Sequence, residues 1–395
     1  MKKVAVIGAG AAGCFCAIEL GRRLPSAQID VYESGRKPLA KVAITGGGRC
    51  NLTNSFEGIA SLSAAYPRGD KLMRRVFSVF DHKDTWNWFE TEGVKLTLQD
   101  DHCVFPASQD AMQIVNLLTL RMKQLGIRVL TDTMVGSVLK LMNEYDAVVV
   151  TTGGIPKPEG YSILEGLDLE IVPPVPSLFT FNIPSDPVRE LMGTVVEDAS
   201  TALAGTNYKA SGPLLITHWG MSGPAILKLS SYAARHLAEK GYKATLLVNW
   251  LGDAKEEDIR NKLIAIATAN PQKMVVNTHP DEIPSRLWTY LSDKSGVRGD
   301  ARWAELGSKG MNRLANTLSA DEYSVQGKSR FRDEFVTCGG VSLSEINNKT
   351  LECKKHPGLY FAGEILDIDA VTGGFNLQAA WSTGYLAAVS IAQKA

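Results

Sequence analysis

The stretch KVAVIGAGAAG, residues 3–13, decides the fold of this chain. An apolar, β-branched run leads into Gly8, Gly10 and Gly13, which have the spacing G-x-G-x-x-G, and a helical pattern, CFCAIELGRRL, follows at once. In such a unit Gly8 permits a tight turn, Gly10 lets a pyrophosphate approach the backbone, and Gly13 lets the helix pack closely on the strand. The helix N-terminus offers N–H groups to the phosphates. The stretch therefore predicts a dinucleotide-binding, Rossmann-like α/β unit.

A second strand, QIDVYES, supports this interpretation. It places Glu33 at its end, twenty residues beyond Gly13, where an acid binds ribose hydroxyls. A carboxylate does not suit a 2′-phosphate. The site is therefore expected to take FAD or NAD rather than NADP.

Composition excludes several classes of protein. The 395 residues include 42 basic and 42 acidic side chains, so no overall field attracts nucleic acid or membrane. The sequence shows neither a signal peptide nor an apolar run long enough to cross a bilayer, and a cytoplasmic protein without membrane contact is expected. Its six cysteines form no C-x-x-C pair, so no metal site is predicted.

The rest of the chain favours a long cofactor. EYDAVVVTTGG (residues 144–154) is another buried strand, and it ends at Thr152, Gly153 and Gly154. Much later, GLYFAGE (residues 358–364) ends at Gly363 and Glu364, and a glycine pair then opens a closing helix. A second helix N-terminus, remote in sequence from the first, is what an extended flavin dinucleotide needs, because its two ends must be held separately.

Three segments carry a family resemblance: GGGRCNLTN (46–54), GPLLITHWGMSGPAILKLS (212–230), and GGVSLSEI with LYFAGEILDIDAVTGGFNLQAAWSTGY (339–385). On these the whole chain resembles the bacterial FAD-dependent oxidoreductases that include aminoacetone oxidase-like proteins. The resemblance implies a two-part Rossmann-like, glutathione-reductase-type FAD-binding domain with an inserted β-rich domain and a helical subdomain. Many relatives carry a longer loop where this chain has residues 155–172.

The expected domain boundaries follow from changes in the strand and helix patterns along the sequence. Residues 1–185 and 336–395 are expected to form the two parts of the FAD-binding domain. Residues 186–253 and 322–335 read as short strands with turns, and residues 254–321 as a helical subdomain.

Within this resemblance, the glycines of GGGRCNLTN lie along the cofactor, and Lys41 and Arg49 balance phosphate charge. The N–H groups from about Asn376 to Gln378 point at the flavin pyrimidine edge, while Asp367 and Asp369 belong either to a solvated loop or to the site. The predicted FAD-binding residues are Gly8, Ala9, Gly10, Ala12, Gly13, Glu33, Ser34, Lys41, Thr45, Gly46, Gly47, Gly48, Arg49, Asn51, Val135, Thr152, Gly153, Gly363, Glu364, Gly373, Gly374, Asn376, Leu377 and Gln378.

Two residues are candidates for catalysis. Cys50 is a proton donor, a redox partner or an inert packed thiol. His218 donates to a substrate carbonyl or imine, or else it merely precedes a helix that starts at Ser222-Gly223-Pro224.

The expected chemistry is hydride transfer through flavin N5. No second G-x-G-x-x-G follows a strand, so NAD(P)H is expected to act as a transient donor rather than to occupy a domain of its own. The substrate is a small molecule or RNA, since some members of the family are linked to the reduction of uridine in ribosomal RNA. A flavin-holding protein without turnover is a further alternative, and a nicotinamide dehydrogenase without flavin is another.

One regional charge bias bears on the RNA alternative. Between residues 294 and 332 eight basic side chains face four acidic ones, an excess of +4. The region is either a solvated helical face or a docking surface for RNA. The basic residues are Lys294, Arg298, Arg302, Lys309, Arg313, Lys328, Arg330 and Arg332, and the acidic ones are Asp300, Glu305, Asp321 and Glu322.

Overall fold

The computed structural model describes residues 2–328 and 336–394. Internal contacts divide the chain into two compact units. The first combines Met1–Pro176 with Val336–Ala395, and the second is Ser177–Phe335.

The strands alternate with helices in the first part of the chain and cluster in the middle. In chain order they are β1 (Lys3–Ile7), β2 (Gln28–Tyr32), β3 (Thr53–Asn54), β4 (Leu96–Leu98), β5 (Cys103–Pro106), β6 (Arg128–Leu130), β7 (Ala147–Val150), β8 (Ile171–Ser177), β9 (Phe181–Asn182), β10 (Val195–Leu203), β11 (Lys209–Thr217), β12 (Gly220–Ser222), β13 (Lys243–Asn249), β14 (Asp321–Gln326), β15 (Val336–Val341) and β16 (Leu359–Phe361).

The α-helices range from one turn to the long closing helix. In chain order they are α1 (Ala11–Arg23), α2 (Ala40–Gly48), α3 (Leu62–Ala65), α4 (Asp70–Phe77), α5 (His82–Thr91), α6 (Ala111–Gln124), α7 (Val138–Met142), α8 (Pro224–Tyr232), α9 (Ala234–Glu239), α10 (Glu256–Ala269), α11 (Ser285–Lys294), α12 (Gly307–Ser319) and α13 (Phe375–Gln393).

The first unit is built on a parallel sheet with the strand order β16-β7-β1-β2-β6. β1 lies at its centre and is buried from Val4 to Ile7, as expected for a parallel strand covered on both faces. Helix α1 packs against α13, so the two ends of the chain meet beside this sheet. The Rossmann-like α/β architecture predicted from residues 3–13 is confirmed.

The second unit is built on an antiparallel sheet with the order β14-β13-β10-β11-β12-β9. Its hydrophobic core combines side chains from this sheet, such as Leu246 and Val248, with side chains of the helical stretch, such as Leu263 and Leu314. The predicted β-rich and helical parts therefore share one core. This unit begins before residue 185, because β9 pairs with β12.

Three further findings concern the described residues, 2–328 and 336–394. None of their helices is both long enough and apolar enough to cross a bilayer. No group of three His, Cys, Asp or Glu side chains among them is placed to hold a metal ion. All six cysteines are buried, and none of them forms a disulfide bond within the described residues.

Candidate dinucleotide and redox site

The turn after β1 is shaped by close backbone contacts. Gly8 has a φ of +107°, and a Cβ placed there would lie 2.5 Å from the carbonyl oxygen of Thr151. A Cβ placed at Gly13 would lie 1.9 Å from the carbonyl oxygen of Gly8. The Thr151 hydroxyl lies 3.0 Å from the Ile7 carbonyl oxygen and 2.9 Å from that of Gly8. Sequence reasoning missed Thr151, whose role depends on the pairing of β7 with β1.

Gly10 differs from its two neighbours in the motif. Its φ of −84° is open to any residue. A Cβ placed at Gly10 would meet nothing within 4 Å. Neither backbone conformation nor internal packing therefore requires glycine here, whereas the close approach of a pyrophosphate does. Helix α1 begins at the next residue and directs its first N–H groups toward this point.

Glu33 closes the turn from the other side. One carboxylate oxygen accepts the N–H of Ala9 at 2.9 Å, and the other accepts that of Gly35 at 2.7 Å. Its carbonyl oxygen accepts the N–H of Thr133 at 2.8 Å, which brings the loop that contains Val135 to the same end of β2. Ser34 is exposed beside it.

Glu364 lies close to several of the predicted cofactor-binding residues. Its carboxylate lies 3.7 Å from Lys41 Nζ and accepts the backbone N–H of Thr337 at 2.8 Å. A Cβ placed at Gly154 would lie 2.6 Å from Glu364 Oε1, and one at Gly153 would lie 3.8 Å from Oε2. The site thus combines the end of β7, the end of β16 and the start of α2. Sequence reasoning missed Thr337.

Gly363 connects this cluster to the glycine motif. It has a φ of +77°, and a Cβ placed there would lie 2.9 Å from the Cβ of Ala12. Glu364, the next residue, and the groups around it therefore lie beside the first turn of α1.

The glycine run at the end of α2 departs from helical geometry and adopts left-handed backbone. Gly46, Gly47 and Gly48 have φ values of +58°, +67° and +84°. A Cβ at Gly46 would meet the Asn51 nitrogen at 2.9 Å, whereas one at Gly47 or Gly48 would meet nothing within 4 Å. Two adjacent glycines are thus open to the close approach of another molecule.

The side chains on either side of the run shape the turn. Thr45 donates to the carbonyl oxygen of Val42 at 2.8 Å. The Arg49 guanidinium lies 4.4 Å from the centre of the Phe105 ring, and its Nε donates to Gly46 O at 3.1 Å. Lys41 and Arg49 are both exposed.

Cys50 is fully buried and has a φ of +62°. Burial raises the pKa of its thiol to about 12, and a hydrogen bond with Thr45 opposes this shift. The thiol is therefore neutral at physiological pH, which does not suit a thiolate nucleophile.

Residues 51–54 run alongside the start of α13. With its side-chain amide oriented so that oxygen and nitrogen each face a complementary group, Asn51 accepts the Gly374 N–H at 3.2 Å and donates to Thr53 O at 3.0 Å. The indole of Trp381 donates to Leu52 O at 3.0 Å. These contacts place the glycine run and Cys50 next to the N-terminus of α13.

The first turn of α13 revises one expectation. Gly374 is the residue that precedes the helix, and the Gln378 N–H donates to the Gly374 carbonyl at 3.0 Å. The backbone N–H of Gln378 therefore has a hydrogen-bond partner within the helix. It belongs to the fourth helical residue, whose N–H closes the first turn by binding the carbonyl of the residue that precedes the helix. The N–H groups of Phe375, Asn376 and Leu377 belong to the residues before this first helical hydrogen bond. The Gln378 side chain is buried against Thr53 and Ser382.

The loop before α13 is held from several sides. Asp369 is fully buried and paired with Arg68, so it does not belong to a solvated loop. Asn54 donates to Gly373 O at 3.0 Å, and the Tyr66 hydroxyl donates to Phe375 O at 2.8 Å. The Asn376 amide binds both backbone groups of Ala370, each at 3.0 Å.

His218 belongs to the second unit. It is exposed in the turn between β11 and β12, and its ring lies edge-on to Trp219 with centroids 3.9 Å apart. Helix α8 begins at Pro224, after Gly223, as the sequence predicts. Cys50 and His218 thus lie in different units.

The basic region is largely engaged in internal contacts. Lys294 lies 2.5 Å from the buried carboxylate of Asp321, and Arg313 donates to Ser295 O at 3.0 Å. Arg298 lies 3.4 Å from Asp300. Arg330 and Arg332 lie outside the described residues. The acids of these pairs are already subtracted in the excess of +4, so the contacts show which cations have partners but do not lower that excess.

The first unit carries groups of the kinds that FAD requires. Glu33 and the adjacent loop suit a ribose, Gly10 and the start of α1 suit a pyrophosphate, and the glycine run with the start of α13 suits a flavin. Gly10 supplies the most specific test, since no contact with the described residues requires a glycine there.

Comparisons with known proteins identify the family of this chain. Residues 2–390 match the HI0933-like protein Rossmann domain family. The chain is 31% identical to the ribosomal RNA dihydrouridine synthase of Escherichia coli over 97% of this chain and 96% of the relative. It is 26% identical to the 3-dehydro-bile acid delta(4,6)-reductase of Clostridium scindens over 100% of both chains.

A solved structure supports the fold alone. The 3-ketosteroid delta1-dehydrogenase of Sterolibacterium denitrificans matches with a TM-score of 0.50 and 11% identity, and 100% of each chain is covered. The chain therefore belongs to the HI0933-like Rossmann-domain family and is an FAD-dependent oxidoreductase.

Proposed function

We propose that this protein reduces a carbon–carbon double bond conjugated to a carbonyl group, with NAD(P)H as a transient hydride donor. Uridine in ribosomal RNA is the first candidate substrate. The observation that carries the proposal is the full-length similarity to two reductases, one named for dihydrouridine and the other for a delta(4,6) bond of a 3-dehydro-bile acid. Both names describe the saturation of a C=C bond.

The chemistry common to both reductions is simple. In uridine, a hydride adds to C6 and a proton to C5, while NAD(P)H supplies the hydride and becomes NAD(P)⁺. FAD, when bound, supplies the two-electron redox step between donor and substrate. The protein has to bind the cofactor, orient the substrate and deliver the proton.

The first unit has groups suited to these tasks. The predicted cofactor contacts run from Glu33 through Gly10 to Gly47 and Gly48. The N-terminus of α13 favours negative charge, and a reduced flavin carries such charge. Cofactor contact at each of these positions is part of the proposal.

The proton donor is either Cys50 or His218. The Cys50 thiol is protonated at neutral pH because burial raises its pKa, and it lies next to the N-terminus of α13. The exposed imidazole of His218 is an alternative in the second unit.

An anaerobic titration of the purified protein with NADPH and NADH tests the donor. Bleaching of the bound flavin by either nucleotide supports a reductase half-reaction. A flavin that neither nucleotide bleaches would instead fit an oxidase or a flavin-holding protein without turnover. Protein that binds no FAD would contradict the central claim.

The substrate requires a second assay. The reduced protein is mixed with ribosomal RNA from cells that lack the gene, and the digested nucleosides are analysed by mass spectrometry. Uridine that gains two hydrogens supports the RNA substrate, provided that the product depends on NAD(P)H. If the flavin is bleached but no dihydrouridine forms, a conjugated 3-oxo steroid is the next substrate to test.

A further inference from the structure

Helix α4 presents a basic face outside the proposed redox site. Lys71, Arg74 and Arg75 are exposed at helical spacing, whereas Leu72, Met73 and Val76 on the opposite face are buried. Among residues 2–328 and 336–394, no carboxylate lies within ion-pair distance of any of these three cations. The nearby acids serve other purposes: Asp70 lies in the first turn of α4, and Asp81 and Asp84 form the capping box of α5.

A strained aromatic residue lies on the same flank. Phe56 has a φ of +61°, a conformation that bulky residues rarely adopt. Its backbone is held by the Asn54 side chain, which accepts the Phe56 N–H at 2.9 Å. The half-buried Phe56 ring lies over His82, with centroids 4.9 Å apart and an interplanar angle of 32°. Backbone strain of this kind clusters at functional sites in proteins.

Direct contacts join helix α4, the aromatic pair and the start of α13. Phe77, the last residue of α4, lies edge-on to Phe56 with centroids 5.4 Å apart. Phe56 in turn lies edge-on to Phe375, the first residue of α13, at 5.0 Å. The cations and the aromatic pair therefore lie on the flank of the first unit that borders the proposed flavin end of the site.

We propose that this flank, made of Lys71, Arg74, Arg75, Phe56 and His82, docks a single-stranded segment of RNA beside the redox site. The inference rests on the proposed function and names the surface by which its RNA substrate is held. The three cations contact phosphates, and the Phe56–His82 pair provides a stacking surface for a base. Basic side chains next to aromatic rings are the pattern used for single strands. An acidic membrane surface would contact the same cations, so it is tested separately.

Binding of a fluorescein-labelled oligouridine to the FAD-loaded protein, measured by anisotropy across a salt series, tests the basic face. The variant combines Lys71→Ala, Arg74→Ala and Arg75→Ala. For single strands the slope of log K against log salt is about −0.7 per phosphate contact, so the loss of three contacts should reduce its magnitude by about 2. The matched control combines Arg298→Ala, Arg302→Ala and Lys309→Ala in the second unit and should leave the slope unchanged.

A single substitution tests the aromatic pair. Phe56→Leu keeps an apolar side chain and should weaken oligouridine binding by about tenfold without changing the salt slope, because stacking is not ionic. Flavin absorbance and thermal unfolding are recorded for every variant, so a folding defect is recognised. Vesicles that contain phosphatidylglycerol serve as a second probe.

The outcomes separate this inference from the proposed function. If the wild-type protein forms dihydrouridine but the α4 variant keeps the full salt slope, the docking surface is overturned and the function stands. If the wild-type protein binds no oligouridine, or binds the vesicles instead, the docking surface fails. Flavin bleaching by NAD(P)H would then still support a reductase of another substrate.

Discussion

The guanidinium of Arg68 and the carboxylate of Asp369 form a buried pair, with Nε 2.6 Å from Oδ1. Asp369 is fully buried, and the carboxylate raises the pKa of Arg68 against the opposing effect of burial. The two residues are 301 positions apart in the sequence. The pair therefore joins the first and last parts of the chain at the loop that leads into α13.

Removal of one partner should destabilise the protein strongly. Asp369→Asn leaves the buried Arg68 charge without its carboxylate, which typically costs about 3–5 kcal/mol of unfolding free energy. The variant should also retain less FAD, because the loop sets the start of α13. Urea-induced unfolding and the ratio of flavin to protein absorbance measure the two effects. The double variant Arg68→Met, Asp369→Leu should regain most of the stability, and a double variant as unstable as Asp369→Asn would contradict this account.

Substitution by alanine should affect stability and FAD binding differently at Gly10 and Gly13. Gly10→Ala adds a methyl group that meets no atom of the described residues within 4 Å, so it should lower the unfolding free energy by about 1 kcal/mol or less, as an exchange at a helix N-cap. FAD affinity should nevertheless fall by at least about tenfold, since the methyl occupies the approach of the pyrophosphate. Gly13→Ala places a Cβ 1.9 Å from Gly8 O and should cost about 3 kcal/mol. Thermal unfolding of the FAD-free variants and flavin titration check both expectations, and unchanged FAD binding by Gly10→Ala would contradict the site.

How far the sequence predicted the molecule depended on how local each feature is. The β1–α1 turn and Glu33 were accessible because their residue types follow from backbone geometry within a short stretch. The roles of Thr151, Thr337 and Arg68 arise from partners brought together only by the fold. The residues around Arg68 in the sequence give no sign that its partner is Asp369.

Charge counts along the sequence were limited in the same way, because they do not show which charges the fold brings together. Lys294 and Asp321 were counted as separate charges, and only the structure shows that they form a buried pair. The three cations of α4 produce no local charge excess, because Asp70, Asp81 and Asp84 nearly balance them in the sequence. Only the helix geometry separates the exposed cations of α4 from the acids that cap helix ends.

Lys294 should contribute to stability and not to RNA binding. Lys294→Met leaves the Asp321 carboxylate buried without its cation, although Trp250 still donates to it at 2.9 Å. We expect a loss of about 3 kcal/mol in unfolding free energy, as for other broken buried pairs. Oligouridine affinity should not change. Urea-induced unfolding and the anisotropy assay measure the two quantities, and weaker RNA binding by a stably folded Lys294→Met protein would return this region to the docking surface.

Cys50 should make the protein sensitive to alkaline pH. In the unfolded chain the thiol ionises near its ordinary pKa of 9.0, whereas burial raises the pKa in the fold to about 12. Between these values the unfolded chain binds fewer protons than the fold, so stability falls as pH rises above 9. At pH 10 this thiol alone accounts for about 1 kcal/mol. Cys14 and Cys16 add to the same trend, since burial raises the pKa of each. Urea-induced unfolding at pH 8 and pH 10 should therefore show a smaller drop for Cys50→Ala than for the wild type, and equal drops would mean that the Cys50 thiol is not shielded from water.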